Sequence, residues 1–339
     1  MHIENSFYSL SNNNGLNVEF SSLGGRINSI IIPDEKGFID IALGYNNIAE
    51  MLENDVYIGA ICGRFANRIS RGKFKISDVE YQLDINNGQN HIHGGLNGFN
   101  TKYWKVENFN VENCTSVYKL NYTSLDGEEK YPGKVEISVI YALNDNNELI
   151  IEIEAKTDKT TPINITTHPY FNLKGFGNGD ILDHLLEINS LEFTPLDSTG
   201  VPSGEIIKIE GTVMDFSRKQ LISIANNSDY EQIKLAGGID HNWILNKKQN
   251  VMSFAARLSE PKSGRRVEVF TTQPGLQVYT GIHFNGKLGG KNGYLLTKNC
   301  GIALEPQNFP DAPNKPNFPN SFLHPDEIYK QKIIYKFIW

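Results

Sequence analysis

Val135-Glu136-Ile137-Ser138-Val139-Ile140-Tyr141, followed after one turn by Ile151-Glu152-Ile153-Glu154-Ala155-Lys156, sets apolar side chains on one parity of the chain and mostly polar ones on the other. A period of two is the signature of a β-strand with one buried face. The same pattern returns at residues 117–122, 267–271, 276–280 and 333–337. Helical periodicity is nearly absent, and only residues 219–227 read as a short helix. Between the runs stand Asn12-Asn13-Asn14-Gly15, Asn86-Asn87-Gly88, Asp126-Gly127 and Asn292-Gly293, residues that tolerate the positive φ of tight turns. Many short strands joined in this way predict an all-β chain built as a β-sandwich.

Composition agrees with a soluble globular protein. Hydrophobic residues make up 39% of the 339 positions and charged residues 21%, enough apolar material for a large core. The 32 basic residues are outnumbered by 39 acidic ones, and no run of five basic residues occurs. A nucleic-acid or anionic-membrane partner is therefore not expected. Met1-His2-Ile3-Glu4-Asn5-Ser6 has neither a basic nor an apolar leader region, and no 18-residue apolar stretch follows. Cys62, Cys114 and Cys300 lie far apart with no metal-type pairing. Together these features predict a cytoplasmic protein with reduced thiols.

Four islands interrupt the strands: His91-Ile92-His93-Gly94-Gly95, Thr167-His168-Pro169-Tyr170-Phe171-Asn172-Leu173, Gly238-Ile239-Asp240-His241-Asn242 and Leu304-Glu305-Pro306-Gln307-Asn308. Each carries a titratable side chain next to a Gly or Pro, so a fold that gathers them assembles an acid/base site. In strand geometry Asn164, Thr166 and His168 share a polar face, which reads as a groove floor ending where Pro169 interrupts the ladder. Glu305 shares its face with Gly301 and Ala303, small neighbours that read as space for a ligand. Gly94 and Gly95 allow a sharp turn that would hold His93 at a rim.

Each island also has a plain structural reading: a satisfied histidine, an Asx turn at Asp240, a solvated strand charge at Glu305, a hairpin after His93. His91 and His93, two apart, suggest one strand face and hence a metal pair, but nothing nearby in sequence completes a ligand set, and no metal is expected. No Gly-x-Ser-x-Gly elbow, phosphate loop or dinucleotide fingerprint is present.

Taken in order, the segments resemble the aldose 1-epimerase (galactose mutarotase) family over most of the chain. Gly63-Arg64-Phe65-Ala66-Asn67-Arg68-Ile69, Asn90-His91-Ile92-His93-Gly94-Gly95, the stretch Thr167 to Leu173, Thr271-Thr272-Gln273-Pro274-Gly275-Leu276-Gln277 and the stretch from Leu304 to Asn314 each resemble a family motif. Departures are slight: Ile92 stands where Leu is usual, and Pro306 follows Glu305 where a polar residue is common. The resemblance implies a large mutarotase-like supersandwich, residues 1–339 as a single domain, that interconverts the anomers of a free hexose without a cofactor. It implies Glu305 as general base and His168 as general acid, with His93 as an auxiliary imidazole. Asn67, Arg68, Asp240 and Gln277 match positions that hold sugar hydroxyls, and Tyr170 follows the acid histidine. The implied partner is a small aldose, with the protein a monomer or homodimer. Rival readings are a hexose-phosphate 1-epimerase drawing on Arg64, Arg68 and Arg71, a glycosidase using Asp240 and Glu305, and a non-catalytic carbohydrate-binding β-sandwich.

Overall fold

The computed structural model describes residues 6–53 and 56–339, so the first five residues, on which the reading of the N-terminal segment partly rests, lie outside the described residues. Strands dominate. A nine-stranded antiparallel sheet contains all the alternating runs except 276–280, which lies in the second layer: Ser116–Ser124, Val135–Leu143, Glu148–Thr157, Tyr329–Ile338, Arg266–Thr271 and Ser253–Ser259 are consecutive neighbours in it. Its inner parity, including Val139, Tyr141, Ile151, Ile153, Val267, Val269, Ile333 and Tyr335, is sealed from solvent. Its outer parity carries cross-strand ion pairs such as Lys332–Glu152 and Lys330–Glu154.

The second layer is a six-stranded sheet in the order Tyr170–Phe171, Ile302–Gln307, Gly275–Tyr279, Asp240–Leu245, Ser190–Thr194, Ile207–Lys208. One face of it, with Ile302, Leu304, Leu276, Val278 and Trp243, joins the same apolar cluster as the nine-stranded sheet. The opposite face is polar and bears the site. A four-stranded sheet from Phe7 to Asp40 adds Leu10, Val18, Phe20 and Ile30 to the same cluster. Among the described residues, no helix is long and apolar enough to cross a membrane.

Helices are few and short. The helix expected over 219–227 forms only at Ile222–Asn226, because Gln220 and Leu221 pair as a strand with Leu186 and Leu185. Ile48–Glu53 and Glu231–Ala236 are helices that the sequence pattern did not announce, each too short for a 3.6-residue period to emerge. The second ends at Gly237 in the left-handed region, a C-cap that was readable in the sequence. All four expected turns bend the chain, with Gly15, Gly88, Gly127 and Gly293 at positive φ.

Candidate active site

The polar face of the six-stranded sheet is built by register. Asn242 pairs with Gln277 and Gln277 with Glu305, so these three side chains form one cross-strand row. One step along, Asp240 pairs with Tyr279, Tyr279 with Ala303 and Ala303 with Tyr170. Residues two apart share a face, so both rows look the same way. Pro306 does not break the strand, and its carbonyl oxygen accepts a 2.7 Å hydrogen bond from Thr166 Oγ1. The base candidate thus sits on paired, anchored backbone.

Segment 59–69 brings the other side chains in. His168 N–H donates to the Ala60 carbonyl (2.9 Å) and Gly59 N–H to the His168 carbonyl (2.8 Å), which fixes the histidine backbone. On the opposite side His93 N–H donates to the Asn67 carbonyl at 3.1 Å. The expected polar groove floor at Asn164 and Thr166 does not exist as such. Asn164 donates to the carbonyls of Ala66 and Asn308, Thr166 to that of Pro306, and both are wholly buried. Period two reveals a face but not what that face meets. The space beside Glu305 differs similarly: a Cβ on Gly301 would lie 2.7 Å from Leu43, and Ala303 pairs with Tyr170, so the small residues admit protein side chains.

His93 is held in the left-handed region at φ 50°, and Gly94 follows at φ 90°. A Cβ on Gly94 would stand 1.8 Å from the Gly63 carbonyl oxygen, so only glycine permits this approach. His91 and His93 do not share a face. His91 Nδ1 lies 2.8 Å from the Asp84 carbonyl and its Nε2 2.7 Å from the Tyr131 hydroxyl, while His93 turns into the site. The left-handed residue swings the second ring away from the strand's alternation.

Within the site His168 Nε2 lies 3.4 Å from Glu305 Oε1, both side chains buried. The His93 ring centroid is 5.5 Å from that of His168, and His168 stacks on Tyr170 at 4.7 Å. His93 Nδ1 accepts the Asn67 backbone N–H at 3.2 Å, so in the neutral ring Nε2 carries the hydrogen. Ring and carboxylate atoms of His93, His168 and Glu305 all lie within 4.8 Å of one another, a spacing a metal ion could bridge. The tautomer at His93, however, offers an N–H donor where a metal needs a lone pair.

Asp240 is clamped from two sides: Gln277 Nε2 donates to its Oδ1 at 2.6 Å, and Arg68 Nη2 stands 3.5 Å from its Oδ2. Arg68 is itself steadied by Nε donation to Asn87 Oδ1 at 3.0 Å, and Asn67 Oδ1 accepts the Arg68 backbone N–H at 2.8 Å. His93, His168, Tyr170, Asn67, Arg68, Asp240, Gln277 and Glu305 therefore converge on one face. Arg64 does not: it is buried elsewhere, donating to the carbonyls of Pro132 and Gly133 and to the hydroxyls of Thr161 and Ser124. His241 points to the other side of its strand, its ring 5.9 Å from that of Phe193. Tyr57, whose ring lies 4.5 Å from that of His93, and Asn87, which braces Arg68, were not singled out from the sequence.

Burial shapes the proton affinities. Loss of solvent drives the Glu305 carboxyl well above the usual range, the Asp240 charge adds to this, and Arg68 opposes it. Burial lowers His168 to about 4, with Asp240 pulling the other way. Burial also lowers His93 well below an ordinary imidazole, helped by His168 and Arg68. Glu305 Oε2 and Gln277 Oε1 are buried with no hydrogen-bond partner among the described residues.

A family model described as aldose 1-epimerase matches residues 6–336. The galactose mutarotase of Mus musculus is 40% identical over 323 residues, covering 95% of this chain and 91% of its own. Among solved structures, an aldose epimerase homologue from C. elegans superposes with TM-score 0.87 at 29% identity, over 99% of both chains. A galactose 1-epimerase from Lactobacillus acidophilus does so with TM-score 0.85 at 30% identity, over 99% of this chain and 98% of its own. Motifs that lie far apart in sequence but meet on one sheet face, and a match that runs nearly end to end, have one common explanation: the chain belongs to the aldose 1-epimerase family.

Proposed function

We propose that this isomerase interconverts the α and β anomers of free hexoses such as galactose and glucose by acid/base ring opening, with Glu305 as base and His168 as acid. The observation that carries this reading is the buried contact of 3.4 Å between His168 Nε2 and Glu305 Oε1. Glu305 takes the proton of the C1 hydroxyl while His168 gives its proton to the ring oxygen. The C1–O5 bond breaks and C1 becomes an aldehyde. After rotation about C1–C2 the O5 hydroxyl adds to the other carbonyl face, His168 recovers its proton, and Glu305 returns the other to the new C1 oxygen. Each group acts in both directions, as an isomerisation requires.

Electrostatics support the same roles. With one proton between them, the pair is either an ion pair (imidazolium and carboxylate) or neutral (imidazole and carboxylic acid). Ring opening converts the first into the second. Burial raises Glu305 and lowers His168, so it favours the neutral pair that accompanies the open-chain sugar. The site thus offsets part of the cost of opening. The His93 N–H supplies a neutral donor for the ring oxygen or a hydroxyl, and Asp240, Arg68, Asn67 and Gln277 orient the pyranose.

A sugar phosphate is disfavoured because Arg64 is committed to internal carbonyls and Arg68 to Asn87 and Asp240. The single-domain reading of residues 1–339 draws support from one apolar cluster that takes side chains from Leu10 through Phe337. Polarimetry of freshly dissolved α-D-galactose and α-D-glucose tests the activity. The rotation relaxes faster with the protein than in buffer; binding without acceleration on either hexose or on pentoses would instead make the protein a carbohydrate-binding sandwich.

A further inference from the structure

The sugar-facing sheet carries more polar groups than the acid/base chemistry uses. Gln307 lies two residues beyond Glu305 on the same strand and so shares its face. Its side chain is 0% exposed, yet neither its Oε1 nor its Nε2 has a hydrogen-bond partner among the described residues. Asn242, in the cross-strand row of Gln277 and Glu305, is 1% exposed, and its Oδ1 is likewise unpartnered. Its Nδ2 makes only a long contact, 3.4 Å, to Thr194 Oγ1.

Between the two stands Gly275, the register partner of Gln307. A Cβ on Gly275 would lie 2.4 Å from Asn242 Oδ1 and 3.2 Å from the Gln307 carbonyl oxygen. The intervening strand therefore contributes no side chain, and the space over Gly275 is shared by Asn242 Oδ1 and the Phe309 ring, 3.1 Å from the same Cβ position. A buried amide with both ends unsatisfied forfeits its hydration, whereas an apolar side chain of the same size would not. Such a group is retained where something else meets it.

We propose that Asn242 and Gln307 are further sugar-binding residues, forming a polar floor beside Glu305 that holds a substrate hydroxyl other than the one at C1. This rests on the epimerase reading above. The chemistry fits a hydroxyl, which donates to Asn242 Oδ1 or Gln307 Oε1 and accepts from Gln307 Nε2. Side chains two apart on a strand stand about 6.6–6.8 Å from each other, so a pyranose whose anomeric hydroxyl lies on Glu305 presents a different carbon to Gln307.

The test uses Gln307→Met, which keeps the volume and removes both polar ends, with Asn242→Leu as a second variant. Anomerisation is measured on galactose and on its 2-, 3-, 4- and 6-deoxy derivatives, with thermal midpoints recorded in parallel. For at least one folded variant, kcat/KM on galactose falls about 10-fold or more, the loss disappears with one deoxy sugar, and the thermal midpoint is not lowered. Unchanged kcat/KM, or the same factor lost on every sugar, overturns the proposal; a lowered midpoint with full activity does so by making the amides partners of a structural water. Should the wild type accelerate no sugar, the epimerase reading falls separately. NMR titration with the same series then decides the contact: binding weakened for all but one deoxy sugar upholds it, and unweakened or absent binding overturns it.

Discussion

His168 and Glu305, separated by more than a hundred residues in the chain, place Nε2 and Oε1 3.4 Å apart with both side chains buried. Neither group is tuned alone. Burial lowers the imidazole to about 4 and raises the carboxyl, and the working state of the pair holds a single proton.

This arrangement sets the pH dependence. A second proton enters only as the pH falls toward about 4, where His168 becomes charged beside a carboxylic acid. The acid limb of kcat/KM therefore lies near pH 4 and not near 6.5, the ordinary histidine value. On the alkaline side the proton is lost only above the range of an ordinary carboxyl. Initial rates from pH 3.5 to 9, corrected for buffer catalysis, check this; a limb centred near 6.5 contradicts the shared-proton account.

Arg68 reaches Asp240 through Nη2 while Asn87 accepts from its Nε and fixes the guanidinium. Asn87→Ala removes one hydrogen bond to a charged group, worth about 1.5–3 kcal/mol, and raises KM for galactose roughly 10-fold or somewhat more while kcat changes little. Asp240→Asn raises KM further, since it removes both the carboxylate and its ion pair. Steady-state kinetics on galactose and glucose separates the two parameters, and an unaltered KM in both variants would show that the Asp240 clamp does not hold sugar.

Gly94→Ala forces a Cβ against the Gly63 carbonyl oxygen, which would stand 1.8 Å away, in a residue at φ 90°. Segment 63–67 or the His93 turn must shift. We expect loss of stability by about 2 kcal/mol or more, seen as a lower urea midpoint, and a fall in kcat even where the protein stays folded. A variant with normal midpoint and normal kcat would mean that the close approach at Gly94 places nothing of consequence.

Much of this was legible in the chain, and the residues that were not share a physical reason. The alternation at 135–141 and 151–156 reports one buried face and becomes two neighbouring central strands. Glu305 was placed on the correct parity of its strand, because two-residue spacing is a local property. The partner of that face is not local. Asn164 and Thr166 read as a groove floor and turned out to stitch segments together, and Asn87 lay in an Asn-Asn-Gly turn whose composition was already explained by positive φ. Gln307 shows both sides of this. Its parity with Glu305 was visible in sequence, but its unmet amide emerges only once the sheet is assembled.

Initial-rate polarimetry on α-D-galactose with wild type, Glu305→Gln and His168→Asn bears most directly on the acid/base pair. Glu305→Gln keeps the shape of the side chain and His168→Asn keeps a polar group in place of the ring, and each removes one proton-transfer group, so kcat falls by at least about 100-fold in either variant with the fold intact. Near wild-type anomerisation by either purified, folded variant would contradict the assignment of Glu305 as base and His168 as acid.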